Sequence, residues 1–368
     1  MSVDRGDIDE GVRVDAGRLL ARGASDDVSA DRRLAAAVDD LGVPDAWRLS
    51  DRARALVHET FAGQCGLIEQ ELRHAASRLL AERGAPEPAL LLERRGPSVY
   101  PTLSAAGLLA ERELMREMIG RARQAVLADT LVPPAPEGGD RPSLIVRLVE
   151  HPRAAVSNLA SALMVAEAKR RDGLAKPRHS DLPAECHHRL VWAAAAVLRT
   201  ELAPCAGGDQ AAIDAALTDA ALRALASHDE GERLEAVAMR LAVALGAPTS
   251  ELGALLVEAF GDRRVALAIA LLAQALGLDY DSVRDMVLDP VPDRFWLALR
   301  AAGLERPAIA RIGLVLADSE PSRDLEAFAD QLPAILAVPV ADARAALAPL
   351  ALHPDFRASL VQLARALR

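Results

Sequence analysis

Apolar positions recur along this chain at spacings of three and four, the pattern of helices that each bury one face. It is clearest between Leu252 and Leu304. Leu252, Leu255, Leu256 and Ala259 share a face before Gly261 and Asp262 break the run. Gly261 is expected to take the left-handed position that ends a helix, and Asp262 to cap the next one. Val265, Ala266, Ile269, Leu272 and Ala273 continue the stripe as far as Gly277. Asp279–Leu288 is a third, shorter helix. Pro290 and Pro292 separate it from Phe295–Ala302, which Gly303 closes. Helices this short are marginal alone in water, so each must cover its stripe with a neighbour. Stacked antiparallel helix pairs meet that need.

The rest of the chain repeats the pattern. Ser50 caps a long helix from Asp51 to Arg83, where Gly63 and Gly66 predict a bend or a close helix contact. Ala110–Thr130 is a strong helix with Leu114, Met118, Ala122 and Val126 facing inward. The prolines and glycines of VPPAPEGGDRP, residues 132–142, cannot continue a helix. Ser143 caps Leu144–Glu150, which with Arg153–Arg171 forms the most HEAT-like unit. Pro183 opens a helix to about Leu202, and Gln210–Ser227 and Glu230–Leu245 follow. Arg306–Leu316 comes next. After a break at Glu320-Pro321 the chain ends with Ser322–Gln331, Ala334–Leu336, Val340–Leu350 and Pro354–Leu367, with Leu332–Val340 irregular. Helix–turn–helix units recur on a scale of about 35–45 residues. The fold predicted is all-α: an irregular α-solenoid of antiparallel helix pairs, HEAT-like and without sheet. Its parts are an acidic arm with short helices over 1–48, a helical domain over 49–131, a linker over 132–142 and a helical-repeat domain over 143–368. The terminal units are expected to cap the stack.

The segment AFGDRRVALAIALLAQALGLDYDSVRDMVLD, followed by FWLALRAAGL, resembles the C-terminal half of an uncharacterised bacterial family known only as a domain of unknown function. AAAVDDLGVPDAWRLSDRARALV and DLPAECHHRLVWAAAAVLR resemble it too, so the likeness spans roughly Arg32 to Leu314. It implies an all-helical fold with HEAT-like pairs and brings no activity and no catalytic residues.

Composition narrows the function. Of 368 residues 51% are hydrophobic but only 3% aromatic, so the core is built from Ala and Leu, which suits close helix packing and disfavours sheet. A formal charge of −10 argues against a protein whose main task is gripping nucleic acid. The run Lys169-Arg170-Arg171 is the best candidate for a local basic patch. Cys65, Cys186 and Cys205 are odd in number and widely spaced, unlike a disulfide framework. The opening MSVDRGDIDEGVRVD lacks the apolar centre of a signal peptide, and no run of about twenty apolar residues offers a membrane span. A cytoplasmic protein is expected.

The richest chemical cluster is HSDLPAECHH, His179–His188. Cys186, His187 and His188 are the metal candidates, with Asp181 and Glu185 beside them. Adjacent histidines on a helix diverge by about 100° and rarely share an ion. The spacings of zinc fingers and of HExxH are absent. The simpler reading places Asp181 near a helix cap, Glu185 in the first turn and Cys186 in the core. No cofactor is expected, since Gly207-Gly208 and Gly138-Gly139 do not lie in phosphate-loop settings. Asp26-Asp27 and Asp39-Asp40 read as solvated charge or helix caps.

These absences favour a non-enzymatic scaffold or regulator that presents a helical-repeat surface to an unknown protein partner. Arg263, Arg264, Arg284 and Arg294, with Arg300, are the candidate partner-facing residues. They read more simply as ion pairs with Asp262, Asp281 and Asp289. The alternative is a sensor holding a small apolar ligand between two helical domains, with Trp47, Trp192 and Trp296 as wall residues. An enzyme of unknown class is more remote. The terminal helix, Asp355–Leu367, is suited to bury its stripe within the chain or on a second copy, as a homodimer.

Overall fold

The all-helical expectation holds in the computed structural model, which describes residues 48–132, 142–171, 180–205, 207, 209–319 and 324–366. No strand occurs among the described residues. The acidic arm, Trp47, most of the 132–142 linker, His179 and the break at Glu320-Pro321 lie outside them.

Residues 50–368 form one unit. Its helices in order are α1 (Asp51–Glu82), α2 (Pro86–Arg94), α3 (Val99–Ala105), α4 (Arg112–Thr130), α5 (Leu144–Val149), α6 (Ala154–Arg171), α7 (Ala184–Leu202), α8 (Gln210–Ser227) and α9 (Leu234–Leu245). Then come α10 (Thr249–Gly261), α11 (Val265–Leu276), α12 (Tyr280–Leu288), α13 (Asp293–Ala301), α14 (Arg306–Ser319), α15 (Leu325–Ala337), α16 (Val340–Leu347) and α17 (Pro354–Ala366).

Helix α1 begins as its sequence dictates, with the Ser50 hydroxyl accepting from the Ala53 amide at 3.2 Å. It runs on through Gly63 and Gly66, and a Cβ at either would meet nothing within 4 Å. The glycines therefore mark no close helix contact. Val57, Phe61, Ile68, Leu72 and Leu80 are buried along α1, and α2, α3, α4, α7 and α8 pack around it. Glu69 and Arg73, both buried, tie α1 to the start of α3. The Glu69 carboxylate accepts the Ser98 and Val99 amides at 2.9 and 3.0 Å, and Arg73 donates to Glu69 at 2.8 Å.

A second centre forms on α11. Every residue from Val265 to Ala273 is buried, because α4, α9, α10, α12 and α13 enclose the helix. A helix apolar all round has no outer face to give to water. Gly277 and Gly303 follow α11 and α13 with φ of 65° and 80°, as predicted. The turn between α10 and α11 differs. Gly261 stays helical, and the left-handed residue is Arg263, with φ 61°. An L-residue there costs roughly 1–2 kcal/mol. Its Nε donates to the Leu131 carbonyl at 2.7 Å, which holds the turn against the end of α4. Asp262 does not cap α11. Its carboxylate accepts the Leu144 amide at the start of α5, the place expected of Ser143.

The C-terminal end also departs from expectation. Helix α15 continues through Pro333, which is exposed and forfeits one backbone hydrogen bond. Only Phe328 and Leu332 are buried in it. The Phe328 ring occupies the space over Gly313 and lies 4.7 Å from the Trp296 ring, which meets Phe295 at 5.1 Å.

Buried apolar side chains separate into two cores. The first holds α1–α3, the start of α4, α7 and α8; the second holds the end of α4, α5, α6 and α9–α16. Leu114, Met118 and Ala122 of α4 belong to the first, and Leu127 to the second. The chain crosses within α4, returns between α6 and α7, and crosses again between α8 and α9.

Candidate functional site

Charged side chains gather where the chain crosses between the cores. Helix α4 supplies Glu117 and Arg121, one turn apart on its buried face. The end of α6 supplies Arg170, the segment before α7 supplies Asp181, and Arg233 and Glu235 stand at the start of α9. Asp281 and Arg284 come from α12.

Glu117 is the hub. It accepts from Arg121 Nε at 2.7 Å, Arg284 Nη1 at 2.9 Å and Arg233 Nη2 at 3.3 Å. Arg121 reaches on to the Asp181 carboxylate at 2.6 Å and to its carbonyl at 2.8 Å. Arg170 bridges Asp181 at 2.8 Å and Glu235 at 2.6 Å, and Gln64 of α1 donates to Asp181 at 2.9 Å. Arg284 also pairs with Asp281 at 3.1 Å. Arg121, Arg170, Arg233 and Arg284 thus face Glu117, Asp181, Glu235 and Asp281, with Glu230 and Asp285 at the edge of the network. Close by, Tyr280 donates to Gln124 at 3.1 Å.

Burial alone would raise the Glu117 carboxyl, but Arg121, Arg284 and Arg233 outweigh it and hold it well below the usual carboxylate range. Burial likewise opposes ionisation of Asp181, and Arg121 and Arg170 overcome it. Glu235 is held low in the same way by Arg170 and Arg121. Asp281 is raised, because burial there outweighs Arg284. Glu117 and Asp181 are thus fixed as anions among guanidinium groups. Neither is suited to exchange protons near neutral pH. The arrangement joins elements. A buried, hydrogen-bonded set of this kind fixes register and penalises loss of any one member.

Gly120 makes room for it. A Cβ there would stand 2.7 Å from Arg284 Cζ, so the absence of a side chain lets Arg284 approach Glu117. This network was missed in the sequence. Neither Glu117 nor Arg121 is among the residues that spacing or motif singles out. The available signal was Gly120 between them, in a helix otherwise free of glycine.

Of the predicted partner-facing arginines, Arg284 is 1% exposed and is not on any surface. Arg264 pairs with Glu167 of α6. Arg263 is exposed but donates to Leu131, and Arg300 donates to the Val338 and Leu304 carbonyls. Arg294 is exposed at the start of α13. Arg263, Arg264, Arg284 and Arg300 therefore engage different elements. The run Lys169-Arg170-Arg171 is also committed internally, to Glu232, to Asp181 with Glu235, and to Glu167.

The metal candidates diverge. Cys186 is buried, as expected of a core residue, and burial pushes its thiol up to about 11. His187 is buried and stacked on His228, with ring centroids 4.0 Å apart. His188 lies 3.2 Å from the Trp192 indole nitrogen, which donates to it. Asp181, expected near a helix cap, belongs to the ion network. No group of three metal-competent side chains occurs among the described residues.

Trp296 is core and Trp192 half-buried, so the two do not frame a common cleft. A cleft of about 410 Å³ lies instead on the first core, lined by Gly66, Glu69, Arg73, His74, Leu92 and Arg95 among others. Its two buried charges are already engaged. Arg73 donates to Ser98 at 3.0 Å and to Glu201 at 2.9 Å, besides Glu69.

The surface at the C-terminal end is different in kind. Leu352, Phe356, Leu360 and Leu363 are 38%, 54%, 43% and 57% exposed. Leu325 at the start of α15 is exposed as well.

No curated protein and no solved structure matches the chain. Residues 121–348, more than half of it, match a family described as an uncharacterised protein conserved in bacteria (DUF2336), and the chain belongs to that family.

Proposed function

We propose that this chain is a non-enzymatic interaction scaffold, an irregular helical-repeat body that offers its C-terminal end to a protein partner. One observation carries the reading. Leu325 of α15, Leu352 just before α17, and Phe356, Leu360 and Leu363 of α17 are large apolar side chains that face solvent. Phe356, Leu360 and Leu363 follow one another on one face of α17, and an exposed apolar face of this kind is where a partner packs. The state of the buried charges supports the same reading. Glu117, Asp181 and Glu235 are held as anions by arginines, an arrangement suited to stiffness and not to turnover.

Photoreactive residues at Leu360 and Leu325, introduced in the native host, test the proposal. A discrete protein adduct from Leu360 or Leu325, absent from an exposed position on α8 such as Leu222, is the expected result. Saturable binding of a small molecule, with no protein adduct from any of these positions, would favour a ligand sensor and remove the scaffold.

A further inference from the structure

We propose that the cleft beside α1 binds a small uncharged planar heterocycle of the nucleobase kind, seated on the bare backbone at Gly66. That glycine is the starting point. It sits inside a helix of 32 residues, where glycine is a poorer helix former than anything but proline. A fold needs glycine for a left-handed φ or for a close approach of two chains. Gly66 serves neither, since its backbone is helical and a Cβ there would meet nothing within 4 Å. What remains is access of a ligand to the backbone, and Gly66 does line the cleft. Gln70 and His74 line it too, each four residues further on, so the three form one stripe along α1. Gly63, three residues earlier and equally free of neighbours, extends the bare strip.

The facing wall is built to hold its shape. Arg73 is 9% exposed and donates to the Leu92 carbonyl at 3.3 Å and the Gly96 carbonyl at 3.4 Å. Glu69, 3% exposed, accepts the Ser98 and Val99 amides. Two buried charges thus pin the segment from Leu92 to Val99, which brings the apolar Leu92 and Pro97 to the cleft. The volume of about 410 Å³ falls within the range of roughly 300–1,000 Å³ usual for small-molecule sites.

The groups left over select the ligand. Glu69 and Glu93 are matched in number by Arg73 and Arg95, and Glu201 also bonds to Arg73, so the cleft holds no excess positive charge for an anion. A cation would find Glu69 already taken by Arg73, Ser98 and Val99, and Glu93 taken by Ser77 at 2.8 Å. Gln70 and His74 make no side-chain hydrogen bond among the described residues. A Gln amide offers two donors and an acceptor, and a neutral imidazole offers one of each. Together they suit the neighbouring donors and acceptors on the edge of a nucleobase, the pattern by which Gln reads adenine. The missing side chain at Gly66 leaves an open floor for the ring, and Leu92 and Pro97 supply apolar contact. The Arg95 guanidinium, exposed at the rim, is a plane suited to stacking on such a ring.

Saturation-transfer NMR on the full chain tests the site, with adenine as probe and benzoate and benzamidine as flat charged controls, each up to about 5 mM, a range in which fragments this small are held. Adenine should saturate and the two ions should not. His74→Ala, at an exposed position, should weaken adenine roughly two- to tenfold, the loss of one neutral hydrogen bond. Gly66→Leu is the deciding variant. It fills the cleft and restores helix propensity, so it should abolish adenine binding while raising the urea midpoint. No saturable adenine signal, an equal or stronger signal from either ion, or a signal that survives Gly66→Leu overturns the inference. So does a Gly66→Leu chain with a lowered urea midpoint, because the glycine would then be required by the fold. The cleft lies on the first core and the proposed partner face on α15 and α17, so adenine binding and the Leu360 adduct are read separately.

Discussion

The Arg284 guanidinium rests against the backbone of Gly120, with room for no atom between them. On helix propensity alone Gly120→Ala should stabilise α4 by about 1 kcal/mol. Here the added methyl would displace a guanidinium that is buried and paired with Glu117 and Asp281. The expected outcome is a net loss of about 1–3 kcal/mol, as for other overpacked interior sites, read as a lower urea midpoint. Gly120→Ala combined with Arg284→Met, which removes the group in the way, should cost less than the two single changes added together.

Loss of the Glu117 charge should be more severe. Glu117→Gln leaves Arg121, Arg233 and Arg284 facing one another, and breaking a buried pair costs about 3–5 kcal/mol. Its signature is pH-dependent. Glu117 and Asp181 lie below the ordinary carboxylate range when folded, whereas unfolded carboxylates titrate near about 4. The unfolded chain therefore binds protons first. The stability these groups give is complete above about pH 5 and declines as pH falls toward 2. Asp281 and Glu167, raised by burial, take up protons while folded and act in the opposite sense. The wild-type urea midpoint should fall over this window. Glu117→Gln should start lower and fall less steeply, and parallel curves would count against Glu117 as the hub.

The thiols give a simpler test. Burial pushes Cys65 up to about 12 and Cys186 up to about 11, and both side chains are enclosed. A thiol that far above neutral pH carries almost no thiolate. In a Cys205→Ser chain, a disulfide reagent at pH 8 should label neither residue until the protein is unfolded, when both react. Since Cys186, His187 and His188 point into different surroundings, added zinc should leave the thermal midpoint of the native chain unchanged. A saturable rise lost in His187→Ala would reverse that conclusion.

Gly313 and Phe328 form a second close approach. A Cβ on Gly313 would fall 2.1 Å from the Phe328 ring, which is itself set against Trp296. Gly313→Ala should expel the ring and loosen α15, which buries little besides Phe328 and Leu332. The expected result is faster amide exchange confined to 325–337, with α1 and α11 unaffected.

What could be read in advance followed chain proximity. Ser50 and Gly277 act on residues a few positions away, so spacing and residue type sufficed. Asp262 was assigned to its own neighbour α11, yet it serves Leu144, which lies 118 positions away. Nothing in the local sequence singles out Glu117, because the arginines that make it a hub arrive from α9 and α12. The stripe on α17 is indistinguishable in sequence from the buried stripe on α1. Only the placement of the other helices shows that one is covered and the other is not.

The family match opens at Arg121, halfway along α4 and one turn past Glu117. Helices α7 and α8 fall inside the match, while α1, on which both lean, falls outside it. A fragment cut to the matched segment would strip α1 from α7 and α8 and remove Glu117, the acid at the centre of the network. In this chain the matched segment is smaller than the folded unit, so trimming for expression should begin before α1 and not at the edge of the match.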